Sequence, residues 1–120
     1  MHLRTEQRLR RQSDFRHLRE QGRRIDGGAF TLWWRSRDTT ETVPAQAVVR
    51  VGVVASIAAM GPAVRRNAAK RRLREVFRRH QTLLPPGTDL LLVARPLLNR
   101  LAFHEVESKF IEACHRLTGP

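Results

Sequence analysis

Residues 65–79 of this 120-residue chain read RRNAAKRRLREVFRR, with eight cations and one carboxylate in fifteen positions. The stretch contains neither Gly nor Pro, which predicts an uninterrupted helix. Pro62 suits the first turn of that helix, and Pro85-Pro86-Gly87 prevents its continuation much beyond His80. The prediction is therefore a helix from about 62 to 80 that carries an unusual density of like charge.

This basic helix has two distinct faces when its residues are placed at about 100° intervals. The apolar face is wide enough to dock onto a sheet, and it consists of Ala69, Leu73, Val76, Phe77 and His80. A second arc contains no carboxylate, and its members are Asn67, Lys70, Arg71, Arg74 and Arg78. Cations also recur at every fourth position from Arg66 to Arg78, a spacing at which like charges repel. Nothing in the helix is expected to offset that repulsion, which favours a nucleic-acid phosphate surface over an ordinary solvated face.

The overall composition also indicates a polyanionic partner. The chain has 23 Lys and Arg against 11 Asp and Glu, which gives a formal net charge of +12. A surplus of this size destabilises a compact state unless a polyanion compensates it. Hydrophobic residues make up 41% of the chain, as in ordinary globular proteins, so we predict one domain over 1–120 with flexible ends at 1–12 and 118–120.

Several features indicate a cytoplasmic protein without a metal centre of its own. The amino terminus lacks the apolar segment of a secretory signal, and no apolar stretch is long enough to span a membrane. Cys114 is the single cysteine, and its helical position predicts a buried core thiol. The acids are scattered and the five histidines form no metal motif, so the sequence predicts no catalytic residues in the protein itself.

The remaining pattern predicts an α/β protein. A short helix is expected at 13–21, ended by Gly22, and a last helix at about 103–117. The apolar runs at 29–35 and 47–56 predict two strands that pair as a hairpin, the second of them central in its sheet. A further strand at 89–94, following the basic helix, implies a parallel pair joined by a crossover.

The basic helix also carries a family resemblance. VRRNAAKRRLRE at 64–75 resembles the RNxxKRxxRE signature of the protein subunit of bacterial ribonuclease P. The resemblance extends over about residues 3–117, because other segments look like family elements in the same order. These segments are Asp14-Phe15 with Gly22, Phe30 to Trp33 as the first strand, Arg50 to Val53, Asp89 to Arg95 as the last strand, and Phe103 at the start of the terminal helix.

The resemblance implies a fold and a function. The implied fold is a two-layer α/β (α+β) sandwich in the order α-β-β-β-α-β-α, with a four-stranded mixed sheet of the ribosomal protein S5 domain 2 type. Its βαβ crossover would be left-handed, whereas general handedness rules predict a right-handed one. The family's protein binds a catalytic RNA and the 5′ leader of precursor tRNA, and that RNA, with Mg²⁺, removes the leader.

Carried over by position, the resemblance implies two sets of contacts. Those with the catalytic RNA would be Arg65, Arg66, Asn67, Lys70, Arg71, Arg74 and Arg78. Those with the leader would be Phe15, Arg19, Trp33 and Arg50. Bases of a single strand stack on aromatic rings without demanding a sequence, which suits Trp33. Trp34 is the alternative to Trp33, and Phe15 could equally anchor its helix in the core, while Phe30 is predicted to be core.

The chain departs from the family pattern at two places. The family usually has a lysine pair before the signature, but this chain reads SIAAMG at 56–61. Arg19 stands where many members carry an aromatic residue. Among alternative functions, a small ribosomal or RNA-assembly protein would also be basic, and a DNA-binding regulator would require a helix-turn-helix spacing that is not visible. A membrane-active protein is disfavoured by the globular pattern.

Overall fold

The computed structural model describes residues 12–36 and 49–118, in which a four-stranded sheet carries helices on both faces. The predicted flexible ends, apart from residues 12 and 118, lie outside the described residues, as do residues 47 and 48 of the predicted strand at 47–56. The main elements are α1 (Gln12–Gln21), β1 (Arg23–Asp26), β2 (Phe30–Ser36), β3 (Arg50–Val54), α2 (Ile57–Met60), α3 (Ala63–His80), β4 (Thr88–Ala94) and α4 (Phe103–Thr118). Short 3-10 helices follow α3 and β4, at Gln81–Leu83 and Pro96–Arg100.

The order of the strands in the sheet is β1-β2-β4-β3. Strand β2 pairs antiparallel with both β1 and β4, whereas β3 pairs parallel with β4. The mixed four-stranded α+β fold is therefore confirmed, and α3 connects the parallel neighbours β3 and β4 as a crossover. The left-handedness of that crossover stays a prediction.

The predicted hairpin between the runs at 29–35 and 47–56 is wrong, because β4 lies between β2 and β3. The expectation that the second run is central is also wrong, since β3 is the outermost strand of the sheet. Strand β4 is one of the two interior strands, and six of its seven residues are buried, as is typical of a strand covered on both faces. Strand β3 has the continuous apolar sequence typical of a central strand because helices cover both of its faces, although it lies at the edge of the sheet.

Strand β1 was not predicted from the residue pattern. Three of its four residues are charged and exposed, and Ile25 alone faces the core. Its antiparallel partner β2 follows a short turn in which Gly28 N donates to Asp26 Oδ1 at 2.9 Å. Gly28 has a φ of 81°, a left-handed conformation that favours glycine. The segment Phe30 to Trp33, identified as the first strand, is consequently part of the second.

The main core lies between one sheet face and the two long helices α3 and α4. Strand residues alternate, so that Phe30 and Leu32 face this core. The predicted core position of Phe30 is confirmed, and its ring lies 6.2 Å from that of Phe110 on α4. Cys114 is fully buried in the same core, as predicted, and burial raises the pKa of its thiol to about 12.

The opposite face of the sheet carries helix α1. Leu18 of α1 is buried with Leu91 of β4, and Phe15 packs beside them. Gly52 of β3 admits the Phe15 ring, because a Cβ atom at this position would lie only 2.4 Å from Phe15 Cε1. The missing side chain at Gly52 thus sets how closely α1 approaches the sheet.

We expect Gly52→Ala to destabilise the protein by about 1–3 kcal/mol, because the added methyl group overpacks the contact with Phe15. The measurement is the free energy of unfolding from urea titration. In a Phe15→Ala background the same substitution should cost at least about 1 kcal/mol less, since the ring it meets is gone. Additive costs in the double variant would contradict this account of the α1–sheet contact.

Candidate nucleic-acid interface

The inner side of α3 anchors the helix to the protein. Ala69, Leu73, Val76 and Phe77 are all fully buried in the main core, as the helical spacing predicted. His80 was predicted on the same face, but it is only partly buried, and its Nε2 lies 2.9 Å from Glu107 Oε2. The end of α3 is therefore held by a polar contact to α4 rather than by apolar packing.

One flank of α3 is occupied by contacts within the protein. Arg72 donates from one guanidinium nitrogen to two backbone carbonyls, at 3.1 Å to Leu98 O and 2.6 Å to Leu101 O. Asn99 Nδ2 donates to the carbonyl of Arg65 at 3.0 Å. These bonds hold the segment Pro96–Arg100 along α3, so the Arg72 guanidinium is engaged within the protein.

The last turn of α3 contains an ionic cluster with α4. Arg79 lies 3.0 Å from Glu75 and 3.6 Å from Glu107, and its guanidinium stands 4.9 Å from the centroid of the Phe103 ring. Arg78 also forms a salt bridge with Glu75. The expectation that nothing in the helix offsets the like-charge series is therefore wrong at Arg78, which has a carboxylate partner one turn earlier.

Glu75 depends on these arginines for its ionisation. Hydrogen bonds from Arg78 and then Arg79 lower the pKa of its carboxyl group from 4.5 to about 2. A carboxyl group whose pKa is lowered in the folded state stabilises that state above its unfolded pKa. The contribution of Glu75 is thus fully present above about 4.5 and disappears as the pH falls towards 2.

The other flank of α3 is open. We define the open flank as Asn67, Lys70, Arg71 and Arg74, none of which forms a salt bridge or side-chain hydrogen bond with a described residue. Arg65 at the first turn is also exposed and, within the described ranges, without an ion pair. Arg66 differs because it is half-buried, and its Nε is buried without a hydrogen-bond partner among the described residues.

The predicted leader residues surround the sheet face beneath α1. Trp33 and Phe15 are partly exposed and pack around Leu18 and Leu91, whereas Trp34 packs against the main core on the opposite face. Of the two tryptophans, the structure therefore places Trp33 on the same face as Phe15. Phe15 combines a packing role against Gly52 with an exposed part of its ring.

The two predicted leader arginines have different surroundings. Arg19 is exposed on α1. Arg50 forms a forked salt bridge with Asp89, with Nε at 2.8 Å from Oδ1 and a terminal nitrogen at 2.7 Å from Oδ2. Asp89 is only 2% exposed, so its carboxylate fixes the Arg50 side chain at the edge of this face. Sequence reasoning missed this pairing because Asp89 is distant in the chain.

Two further arginines, one on each face of the sheet, were also missed. Arg24 is the cross-strand partner of Trp33, and its guanidinium carbon lies 6.0 Å from the ring centroid. Arg23 stands in the same relation to Trp34, at 5.8 Å, on the other face of the sheet. The two adjacent arginines could have been matched with the two adjacent tryptophans from the sequence, but only if residues 23–26 had been recognised as a strand.

The described residues contain no cluster of metal-ligating side chains. Throughout 12–36 and 49–118, His, Cys, Asp and Glu form no group of three or more that could hold one. In the same ranges, no helix is both long and apolar enough to traverse a bilayer. What the described surface offers instead is a set of unpaired cations on α3 and an aromatic face beside α1, a combination suited to phosphate and unpaired bases.

We expect the adjacent flanks of α3 to respond differently to the same substitution. Arg72→Gln should lower the free energy of unfolding by about 1–3 kcal/mol, because it leaves two carbonyl groups without their charged donor. Arg74→Gln, the matched control on the open flank, should change it by less than about 0.5 kcal/mol. Urea titration of both variants provides the measurement, and equal effects would contradict the division into flanks.

Comparison with known proteins places this chain in a family. The ribonuclease P family model matches residues 3–118. The ribonuclease P protein component of Streptomyces griseus is 42% identical over 119 residues, which cover 98% of this chain and 96% of that protein. The structure of the ribonuclease P protein from Thermotoga maritima superposes with a TM-score of 0.77 at 28% identity, covering 93% of this chain and 98% of that one. A Staphylococcus aureus ribonuclease P protein shares the fold, with a TM-score of 0.74 at 20% identity over 94% and 95% of the two chains. The chain belongs to the family of ribonuclease P protein components, the protein part of an endoribonuclease.

Proposed function

We propose that this protein binds the catalytic RNA of ribonuclease P through the open flank of α3. The observation that carries the proposal is a set of cations that have no salt-bridge partner among the described residues, on a helix whose inner side is fixed in the core. Lys70, Arg71 and Arg74 project from a rigid element, so they lose little freedom when they meet phosphates. Arg65, Arg66 and Asn67 extend the surface toward the start of α3.

Arg78 has a smaller part in this proposal than the sequence suggested. Its guanidinium forms a salt bridge with Glu75, so the carboxylate already neutralises part of its charge. It can still contribute to the local positive potential, but a phosphate would have to compete with a carboxylate. We therefore rank Lys70, Arg71 and Arg74 above Arg78 as RNA contacts.

The sheet face beneath α1 is the proposed binding surface for the 5′ leader of precursor tRNA. Phe15 and Trp33 present exposed ring surface on which unpaired bases can stack. Arg19 on α1 supplies positive charge for the backbone of the leader. The charge of Arg50 is largely offset by Asp89, as that of Arg78 is by Glu75, so Arg50 would act mainly as a fixed hydrogen-bond donor. This surface lies on the opposite side of the sheet from α3, so one small protein could contact two different parts of the RNA assembly.

Removal of the leader is proposed to be carried out by the RNA with Mg²⁺, in the cytoplasm. The described part of the protein has no donor cluster for the metal, so the RNA would hold it. The cations of the protein would reduce repulsion between the catalytic RNA and its precursor tRNA, which lowers the Mg²⁺ concentration that assembly requires. The protein's own residues bind and position RNA in this scheme.

Reconstitution tests the proposal directly. Adding the protein to a bacterial ribonuclease P RNA at low Mg²⁺ should restore cleavage of precursor tRNA at the mature 5′ end, as measured by gel analysis of the products. Cleavage that is no faster than with the RNA alone would contradict the proposed function. Equal binding to ribosomal RNA would favour the alternative of a ribosomal or RNA-assembly protein.

Neutralising the open flank should weaken RNA binding and change its salt dependence. For the triple variant Lys70→Gln, Arg71→Gln, Arg74→Gln, we expect the slope of log K against log salt to become shallower by about two to three, since each phosphate contact contributes nearly one unit. Filter binding to the catalytic RNA over a range of salt concentrations measures this slope.

The matched control removes the same charge elsewhere. Arg100→Gln, Lys109→Gln, Arg116→Gln neutralises three cations on the Pro96–Arg100 segment and α4, and it should change the slope by less than about one. If both triple variants lose affinity equally, the attraction depends on net charge rather than on the open flank, and the proposed interface is wrong.

A further inference from the structure

Arg24 covers a ring that the proposed function assigns to the leader. Arg24 and Trp33 are cross-strand partners in the β1–β2 hairpin, so they share the sheet face beneath α1. The guanidinium carbon lies 6.0 Å from the centroid of the Trp33 ring, and the Arg24 side chain is exposed. Arg24 thus occupies part of the surface on which a leader base would stack.

The charged neighbours of Arg24 leave its guanidinium group available. It forms no salt bridge with a described residue. Asp26, two residues along the same strand, has its pKa lowered by a hydrogen bond from Gly28 N at 2.9 Å and by the charges of Arg95 and Arg24. Of these two arginines, Arg95 lies within salt-bridge distance of Asp26, at 3.5 Å, and Arg24 does not. Arg79 differs from Arg24. Its guanidinium lies closer to an aromatic ring, 4.9 Å from the centroid of Phe103, and it also forms salt bridges with Glu75 and Glu107.

We propose that Arg24 is a leader-binding residue that rests on Trp33 in the free protein and moves onto a leader phosphate when a base takes the ring. This inference rests on the proposed binding of the leader at the sheet face beneath α1. It adds a specific exchange at that face. A leader base replaces the Arg24 guanidinium on the Trp33 ring, and a leader phosphate replaces the ring as the contact of Arg24. No bond is made or broken covalently.

The energetics favour this exchange. An exposed cation–π contact near the 6 Å limit is weak, whereas a base stacked on an aromatic ring contributes more. The displaced guanidinium is not left unpaired, because the nucleotide that brings the base also brings a phosphate within reach of a long side chain. Arginine matches phosphate geometry with a fork of donors. Arg24 therefore protects the exposed ring without blocking the ligand.

The β1–β2 hairpin contains its own matched control. Arg23 stands over Trp34 at 5.8 Å and is also exposed, but this pair lies on the other face of the sheet, where Trp34 packs against the main core. Arg23→Gln therefore removes the same charge and the same kind of contact one residue away. It leaves the face beneath α1 unchanged.

The test measures affinities of the reconstituted holoenzyme for precursor tRNA with a long leader and for mature tRNA. Arg24→Gln should weaken binding of the precursor by about fivefold, as expected for one exposed phosphate contact, with less than about a twofold change for mature tRNA. Arg23→Gln should change both affinities by less than about twofold. Arg24→Lys should recover part of the loss because it retains the charge.

A second measurement reports on the ring itself. With Trp34→Phe, the fluorescence of Trp33 can be followed alone among the described residues, and acrylamide quenching measures its accessibility. Arg24→Gln should increase quenching in the free protein, while saturation of the holoenzyme with precursor tRNA should reduce it in both proteins. Unchanged quenching in the free Arg24→Gln protein would overturn the resting contact between guanidinium and ring.

The outcomes distinguish this inference from the proposal beneath it. If Trp33→Ala weakens precursor binding selectively but Arg24→Gln does not, the leader site stands and the role of Arg24 is wrong. If neither substitution affects the precursor selectively, the leader does not bind at this face and both proposals fail. If Arg24→Gln weakens precursor and mature tRNA equally, Arg24 contributes only general attraction and the exchange is refuted.

Discussion

The burial of one side of α3 is the constraint on which the rest of the structure depends. Leu73, Val76 and Phe77 fix the helix in the core, so the cations on its outer side cannot separate by unwinding or tilting. Arg78 and Arg79 are relieved of their mutual repulsion by Glu75. The cations of the open flank have no such relief within the described protein, and this residual repulsion is what a bound polyanion would remove.

Some arginines of α3 therefore hold the fold together while others are left exposed, and the sequence alone does not distinguish the two groups. Arg71 and Arg72 are adjacent and chemically identical, yet Arg71 is exposed while Arg72 donates to the carbonyls of Leu98 and Leu101. Which arginine becomes structural depends on where the segment Pro96–Arg100 passes, a tertiary feature about 26 residues further along the chain. The helical spacing predicted the buried positions Leu73, Val76 and Phe77 correctly, because burial follows helical periodicity and periodicity can be read from the local sequence.

Long-range pairing explains where sequence reasoning failed. The bounds of α1, α3, β4 and α4 were predicted to within one or two residues, since caps, breakers and apolar spacing are written locally. The hairpin prediction failed because the apolar pattern of a strand does not determine which other strand it pairs with. Strand β1 was missed because three of its four side chains are charged. At the site, the family resemblance implied that Trp33 and Phe15 lie together, with Trp34 as the alternative to Trp33. The Arg50–Asp89 fork and the Arg24–Trp33 contact could be identified only from the strand register.

The central claim is that the open flank is maintained for a partner at the expense of the free protein. The most direct measurement is the thermal stability of the free protein against salt concentration, for the wild type and for the Lys70→Gln, Arg71→Gln, Arg74→Gln variant. The account predicts that the variant melts a few degrees higher at low salt, with a difference that shrinks as salt screens the repulsion. A variant that melts lower than the wild type at every salt concentration would show that these cations stabilise the fold, and would contradict the account.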